Sequence, residues 1–144
     1  PILATQVALG SNHSCGIQTN ATIKCWGRNN YGQLGVGSTT DNVSANTVSG
    51  ISNAAQITAG RENTCASLDN GSVMCWGYNG WTSLLGNDTT TNSSTPVYVS
   101  GDDNFIAVDA GYSYHNCGII SGGINSLTKR THSIFCVFVN AVCM

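Results

Sequence analysis

The sequence predicts an all-β fold, and three observations support this prediction. Asn, Ser, Thr and Gly supply most of the polar residues, and these residues suit tight turns and exposed strand faces better than long helices. Residues 6–27 recur in the same register at residues 56–77. In both copies, short alternating segments are separated by turns that contain Gly or Asn, which is the pattern of a four-stranded propeller blade.

The repeat has a period of fifty residues in its first two copies. The first copy reads QVALGSNHSCGIQTNATIKCWG and the second reads QITAGRENTCASLDNGSVMCWG. A third copy begins at Val108, with one additional residue between Gly111 and Cys117. Such a register indicates stacked, equivalent units. The matched pairs of the first two copies are Gln6/Gln56, Gly10/Gly60, Cys15/Cys65, Cys25/Cys75, Trp26/Trp76 and Gly27/Gly77.

We therefore predict a partial β-propeller of about three blades, each an antiparallel sheet of four strands. The matched Trp residues are expected to fill the space between neighbouring blades. The predicted units lie near residues 5–54, 55–104 and 105–129, of which the last is incomplete. The predicted strands of the first two units lie near residues 5–9, 14–18, 22–26, 43–48, 55–59, 64–68, 72–76 and 95–99.

The second and third strands of each unit are predicted to form a hairpin that brings two cysteines together. Asp69-Asn70-Gly71 reads as a three-residue turn in which Gly takes the left-handed conformation. Counting back from this turn places Cys65 opposite Cys75, and the same count in the first unit places Cys15 opposite Cys25. Directly opposed residues reach disulfide distance, so we expect these two pairs to be disulfides.

The cysteine content also predicts a location. The chain has seven cysteines, four of them in matched pairs, and cytosolic glutathione would keep such pairs reduced. We therefore expect an extracellular or cell-surface protein. Two alternatives stay open: zinc binding, although zinc favours closer Cys spacing, and reduced cysteines packed as small core residues. The sequence does not define the pairing of Cys117, Cys136 and Cys143.

Charge and motif content argue against several function classes. Only 8% of the residues are charged and the net charge is -2, so we expect no nucleic-acid partner. No apolar run is long enough for a membrane helix, so we expect no membrane insertion. No G-x-S-x-G, H-E-x-x-H or phosphate-loop motif occurs. We therefore predict that the chain is not an enzyme and has no catalytic residues, metal site or cofactor.

The segment NHSCGIQTNATIKCWGRNNYGQLGVG, residues 12–37, carries a specific signature. It resembles the regulator of chromosome condensation repeat, whose pattern is Gly-x-x-His-Thr, a hydrophobic hairpin, and then Trp-Gly-x-Asn-x-x-Gly-Gln-Leu-Gly. The resemblance implies a seven-bladed ring in the full-length parent. It also implies structural roles for the signature positions of the three units, which are Gly10, His13, Trp26, Gly27, Asn29, Gly32, Gln33, Leu34, Gly35, Gly60, Trp76, Gly77, Gly111 and His115. The paired cysteines vary this pattern, as in members that look secreted.

The later units depart from the signature. Unit two has Asn63 in place of the His, and its loop after Trp76 is predicted to be one residue longer. Unit three keeps Gly111 and His115, and its pattern stops at Lys129 without a Trp-Gly pair. We predict that residues 130–144 are an aberrant or truncated tail, produced for example by a frame change. The alternative is a divergent natural tail that pairs as a last strand.

Variable turns at one end of the blades are the predicted binding residues, because loops of a rigid scaffold can change without disturbing the sheets. The first turn and the loop after Trp-Gly differ between units in aromatic and charged residues, which are favoured anchors. Ordinary solvated turns are the alternative interpretation. The candidates are Ser11, Asn12, Arg61, Glu62, Tyr112 and Tyr114 in the first turn, and Arg28, Tyr31, Tyr78 and Trp81 in the second loop.

These observations favour a secreted or cell-surface module that binds a protein partner without catalysing covalent chemistry. The family resemblance supplies one alternative, a guanine-nucleotide exchange factor for a small GTPase. The exposed aromatic residues supply another, a glycan-binding module. Three blades do not close a ring, so we expect further blades in a longer parent chain or self-association through the open sheet edges.

Overall fold

Every regular element in the described part of the chain is a β-strand. The computed structural model describes residues 3–80, 83–101, 104–112 and 115–121, and the backbone of residues 135–139. No helix in these ranges has the length and apolarity to cross a membrane. The strands are β1 (Ala4–Leu9), β2 (His13–Gln18), β3 (Ile23–Gly27), β4 (Asn42–Thr47), β5 (Ala54–Ala59), β6 (Asn63–Leu68), β7 (Val73–Gly77), β8 (Ser93–Tyr98), β9 (Phe105–Ala110), β10 (Asn116–Ile120) and β11 (Phe135–Val139).

The strands form three sheets, which we call blades 1, 2 and 3. Blade 1 has the order β1-β2-β3-β4 and blade 2 the order β5-β6-β7-β8, with antiparallel neighbours throughout. Blade 3 contains β9, β10 and β11. This architecture confirms the predicted all-β partial propeller. The eight predicted strands of blades 1 and 2 all exist, and their ends are shifted by no more than two residues.

The hairpins of blades 1 and 2 have the predicted register. Gly71 takes a φ of 84° at the end of the β6–β7 turn, and Cys65 lies directly opposite Cys75. In blade 1, Cys15 lies opposite Cys25. Both pairs are disulfides, each with a Cα–Cα distance of 4.1 Å. The predicted pairing of these four cysteines is confirmed.

Blade 3 ends differently from the other two. Its β10 pairs with β9 in the usual antiparallel manner, but β11 runs parallel to β10. The ladder places Cys117 beside Cys136. A parallel neighbour cannot follow β10 through a short hairpin, so β11 is not the third strand of a regular repeat. The rest of the predicted tail, residues 130–134 and 140–144, lies outside the described residues.

Successive blades pack face to face. We call the face of a blade that meets the next blade its trailing face, and the opposite face its leading face. The trailing face of blade 1 and the leading face of blade 2 share one apolar cluster, and blades 2 and 3 share a second. Both disulfides lie on trailing faces with no solvent exposure. The first cluster contains Ile17, Ile23 and Leu34 from blade 1 and Ile57, Met74 and Trp76 from blade 2.

A chain of hydrogen bonds also crosses the first blade interface. Thr64 donates its hydroxyl proton to the Gln33 carbonyl at 2.9 Å, so the His13 Nε2–H must be the donor in its 2.9 Å contact with Thr64 Oγ1. The indole of Trp76 donates to the same carbonyl at 3.0 Å. His13 is buried, and burial lowers its pKa from 6.5 to about 4. We call this arrangement the inter-blade relay.

The second blade interface repeats the relay with different side chains. Asn63, at the position of His13, donates to Asn116 Oδ1 at 3.0 Å. Asn116 in turn donates to the Leu84 carbonyl at 2.7 Å. The first strand of each blade also contacts the next blade. Gln6 Oε1 in β1 accepts from the Ile57 N–H, and Gln56 Oε1 in β5 accepts from the Val108 N–H. Each interface thus joins apolar burial to hydrogen bonds between the blades.

We predict that removing one disulfide weakens the fold without abolishing it. Each disulfide has a sequence separation of 10 residues, so the chain-entropy model gives a loss of about 2–3 kcal/mol in the free energy of unfolding. Urea denaturation of the Cys65→Ala/Cys75→Ala variant measures this loss. The Cys15→Ala/Cys25→Ala variant is the matched comparison. An unchanged unfolding midpoint in both variants would show that the bridges contribute nothing.

The buried His13 predicts a pH dependence of stability. Its pKa in the folded chain is about 4, below the unfolded value of 6.5, so unfolding is accompanied by proton uptake between these values. The stability contribution is complete above pH 6.5 and is lost as the pH falls towards 4, with a maximum near 3 kcal/mol, an order-of-magnitude figure. Urea denaturation at pH 7 and pH 4.5 tests this. The His13→Asn variant should lose less stability between the two pH values, because Asn63 fills the same role without titrating; equal losses would contradict the assignment.

Candidate functional site

The candidate binding residues lie at one end of the blades, which we call the loop face. There, the turn between the first two strands of a blade lies beside the loop that follows its third strand. In blade 1, the Arg28 backbone N–H donates to the Asn12 carbonyl at 2.8 Å. In blade 2, Tyr78 donates in the same way to Glu62. In each of these two blades, a backbone hydrogen bond therefore joins the short turn to the longer loop.

Each long loop is organised around a buried asparagine. Asn29 has no solvent exposure, and its Nδ2 donates to the carbonyls of Ser38 and Thr40. Its Oδ1 accepts from the Leu34 N–H at 2.9 Å, and its own N–H donates to Asp41. One side chain thus holds both ends of the loop, so the segment between them has a defined shape.

The loop of blade 2 uses Asn79 in the same way. Its Nδ2 donates to the carbonyls of Thr89 and Thr91, and its Oδ1 accepts from the Leu85 N–H at 2.7 Å. Leu85 is six residues after Asn79, whereas Leu34 is five residues after Asn29. The predicted extra residue in this loop is confirmed, and it lies between the asparagine and the buried leucine.

Two tyrosines from neighbouring blades meet on the loop face. The rings of Tyr31 and Tyr78 have a centroid distance of 5.0 Å and an interplanar angle of 70°, an edge-to-face arrangement that stabilises aromatic pairs. Both are half-buried. Beside them, an open depression is lined by Tyr78, Gly80, Thr90 and Asn92. The pair joins the long loops of blades 1 and 2 into one surface.

An arginine and a tyrosine form a second contact between blades. The Arg61 guanidinium carbon lies 5.8 Å from the centre of the Tyr112 ring, within the range of a cation–π interaction. Tyr112 is 68% exposed, and Arg61 is also exposed. This contact places one charged and one aromatic side chain together on the exposed surface.

The remaining candidates are more dispersed. Ser11, Asn12 and Arg28 are exposed on blade 1, and Glu62 is half-buried on blade 2. Two predicted candidates, Trp81 and Tyr114, lie outside the described residues. The structure therefore brings together Tyr31 with Tyr78 and Arg61 with Tyr112.

The signature residues lie beneath this surface rather than on it. A side chain at Gly10 would overlap the His13 ring, and one at Gly35 would overlap the Trp76 indole. Trp76 has no solvent exposure and packs between blades 1 and 2, whereas Trp26 is half-buried. Gly60 and Gly111 likewise lie close to Asn63 and His115. Other signature residues that are buried or half-buried in this layer are Gly27, Gly32, Gln33, Leu34 and Gly77.

Sequence reasoning missed the partners of the inter-blade relay. Thr64 and Asn116 both follow the His or Asn position by about one repeat, and each contacts the blade before it. Gln6 and Gln56 were visible as matched positions, but their contacts are 51 and 52 residues away in sequence. A repeat pattern shows which residues occupy equivalent positions in two units. It does not show which residue of the neighbouring blade each of them contacts.

The loop face presents aromatic, hydroxyl, amide and guanidinium groups. Among the described residues, no group of three or more His, Cys, Asp or Glu side chains could hold a metal ion. The two aromatic contacts and the surrounding hydroxyl, amide and guanidinium groups can bury apolar surface and form hydrogen bonds with a partner.

Comparisons with known proteins agree with this architecture. The sequence model of the regulator of chromosome condensation (RCC1) repeat matches residues 4–33 and 54–80. No curated protein sequence matches the chain significantly. Among solved structures, Prp20p from Saccharomyces cerevisiae is similar, with 16% identity and a TM-score of 0.68 over 77% of this chain and 30% of that one.

Two further structures share the fold. Human WBSCR16 has 20% identity and a TM-score of 0.66 over 74% of this chain and 28% of its own. The ectodomain of the receptor kinase CR4 from Physcomitrella patens has 21% identity and a TM-score of 0.52, over 85% and 28%. The chain thus spans less than a third of the length of these structures. The repeat match, the blade topology and these shared folds lead to one conclusion: residues 4–33 and 54–80 are RCC1-type repeats, and the chain has the propeller-blade fold of proteins built from them.

Proposed function

We propose that the chain is a non-enzymatic module that binds a protein partner through its loop face. The observation that carries this proposal is the pair of contacts that cross between blades, Tyr31 with Tyr78 and Arg61 with Tyr112. Tyr and Arg are the residue types that most often dominate binding energy at protein interfaces. Their side chains are already held by neighbours, so less side-chain entropy is lost on binding.

The surface is also suited to binding because its support is rigid. Asn29 and Asn79 fix the two long loops by hydrogen bonds to several backbone groups. The blades beneath are joined by buried apolar clusters. Variable residues on such a scaffold can change partner specificity while the fold is retained.

An extracellular or cell-surface location is part of the proposal. Two buried disulfides support an oxidising compartment. One structural relative, CR4, is a receptor-kinase ectodomain, which shows that this architecture occurs outside cells. Prp20p is described with its binding to Gsp1p and histones, and yeast RCC1 (Prp20) has been solved with Kap60 bound. Those relatives support a protein as the class of partner.

The exchange-factor alternative rests on family resemblance, and the glycan-binding alternative on the depression beside Tyr78. A nucleotide-release assay with a panel of small GTPases tests the first, and a glycan array tests the second. We also propose that the open edges of the outer blades are covered by further blades of a longer parent chain or by another copy.

We predict that two substitutions on the loop face weaken partner binding. In a binding screen of the intact chain against secreted and cell-surface proteins, Arg61→Ala/Tyr112→Ala should weaken each genuine partner by at least about tenfold, because anchor residues cost roughly 2 kcal/mol or more when truncated. Both residues are exposed, so the fold should be unaffected. Affinities are measured by surface plasmon resonance for every partner that the screen yields.

The matched control lies at the opposite end of the blades. Thr19 and Ser52 are exposed there, in the β2–β3 turn and the β4–β5 connection. Thr19→Ala/Ser52→Ala should leave affinities unchanged. If the control weakens binding while the loop-face variant does not, the partner binds elsewhere and the proposal is wrong. A screen that yields no protein partner, together with a glycan or GTPase response, would favour the corresponding alternative.

A further inference from the structure

The chain contains two Asn-Gly dipeptides, and the structure places them in opposite environments. Asn70-Gly71 lies in the β6–β7 turn, where Asn70 is exposed, whereas Asn79 in the long loop of blade 2 has no solvent exposure. Both ends of the Asn79 carboxamide are held, since Nδ2 donates to loop carbonyls and Oδ1 accepts from the Leu85 N–H. Of the two carboxamides, that of Asn70 is therefore the one that solvent reaches.

The β6–β7 turn favours one spontaneous reaction, the attack of the Gly71 peptide nitrogen on Cγ of Asn70. A side chain on the residue after the asparagine obstructs this attack, and Gly71 has none. The Asn70 Oδ1 accepts from the Ser72 N–H at 3.0 Å, which forms an Asx turn. This hydrogen bond folds the carboxamide back over the Gly71 peptide group and draws electron density from Cγ. The turn therefore brings the two reacting groups together.

The β2–β3 turn of blade 1 is a matched turn that differs at the attacking residue. Asn20 is exposed like Asn70, and its Oδ1 accepts from the Thr22 N–H at 3.2 Å. Ala21, at the position of Gly71, has the same sign of φ, 60° compared with 84°. In both turns this residue donates its N–H to the carbonyl that precedes the turn, at 2.9 and 3.0 Å. The Cβ of Ala21 is thus the main local difference beside the attacking nitrogen.

We propose that Asn70 is a site of spontaneous deamidation in the folded chain, and that its isoaspartyl product loosens the contact between blades 2 and 3. The Gly71 nitrogen loses its proton to solvent and bonds to Cγ of Asn70, while the bond from Cγ to Nδ2 breaks and ammonia leaves. Water then opens the resulting cyclic imide. Cleavage between the nitrogen and Cγ gives aspartate, and cleavage between the nitrogen and the backbone carbonyl carbon gives isoaspartate. The proposal is independent of partner binding at the loop face.

The effect on blade 3 follows from a backbone hydrogen bond made by the turn. The Gly71 carbonyl accepts from the Phe105 N–H of blade 3 at 2.8 Å, just as the Ala21 carbonyl accepts from the Ala54 N–H of blade 2 at 3.0 Å. Phe105 belongs to the apolar cluster that blades 2 and 3 share. In isoaspartate the main chain passes through Cβ and Cγ, so it gains one atom immediately before Gly71. The added atom displaces the Gly71 carbonyl from the Phe105 N–H.

Peptide mapping of the aged protein tests the site. The intact, oxidised chain is kept in neutral buffer at physiological temperature, digested in mildly acidic buffer and analysed by mass spectrometry. Asn70 should accumulate aspartate and isoaspartate, while Asn79 and Asn20 remain unchanged. In guanidinium chloride with the disulfides reduced, Asn70 and Asn79 should both convert, because the loop no longer holds Asn79. The proposal is overturned if Asn70 remains unchanged in the folded chain, or if folded Asn79 converts as fast as Asn70.

Exchanging the attacking residues of the two turns tests the mechanism. Gly71→Ala copies blade 1 and should lose the conversion of Asn70. Ala21→Gly copies blade 2 and should gain conversion at Asn20, a result that does not require the first variant to fold. Circular dichroism and intact mass confirm that each variant is folded and oxidised. Conversion of Asn70 at the wild-type rate in Gly71→Ala, or no conversion of Asn20 in Ala21→Gly, would overturn the assignment of the attacking nitrogen.

Amide hydrogen exchange tests the effect on blade 3. In the purified isoaspartyl form, the Phe105 N–H should exchange about tenfold faster than in the unmodified chain, a factor that corresponds to the loss of about one hydrogen bond. The Ala54 N–H, which bonds to the unmodified turn of blade 1, is the internal control. Asn70→Asp carries the same new charge on a main chain of normal length and should leave Phe105 exchange unchanged. Equal Phe105 exchange in the isoaspartyl and unmodified forms would overturn the proposed effect.

Discussion

The whole architecture depends on the burial of one sheet face against the next. A four-stranded sheet of mostly small and polar residues buries little within itself, so its stability comes from the neighbouring sheet. The first interface combines an apolar cluster with a relay in which His13, Thr64 and the Gln33 carbonyl satisfy one another. Because these groups are buried, losing the Thr64 hydroxyl would leave the His13 Nε2–H without its acceptor, at a cost of about 1–3 kcal/mol. The interface therefore fixes the register of the blades as well as their contact.

The relay also explains why the repeat tolerates substitution at its histidine. In blade 2 the histidine is replaced by Asn63, and its partner threonine by Asn116. Both pairs link a side-chain N–H to an oxygen and end on a loop carbonyl, at Gln33 or Leu84. What the fold requires at this position is a buried donor of suitable reach, and an imidazole or an amide can supply it. The interface is therefore retained although unit two lacks the family histidine.

Sequence reasoning was strongest where the determinants are local. The turn Asp69-Asn70-Gly71 sets the hairpin register, so the opposition of Cys65 and Cys75 could be predicted from counting alone. The Asn79 loop could be predicted to be longer because its ends are marked by Trp76-Gly77 and Gly86. In contrast, the contact between Tyr31 and Tyr78 depends on how two blades are placed side by side. The parallel pairing of β11 with β10 is likewise not specified by any repeat motif. Contacts of this kind join residues that are far apart in the sequence, so no short stretch of the sequence predicts them.

The buried position of the disulfides has a consequence for the order of assembly. Thiol–disulfide exchange requires a thiolate or an oxidant to reach the sulfur atoms, and the four bridged cysteines have no solvent exposure. Each bridge lies on the side of its sheet that the following sheet covers. Oxidation must therefore precede docking of the following sheet, or await its separation. In the assembled chain, a reducing agent can therefore reach these disulfides only when neighbouring sheets separate.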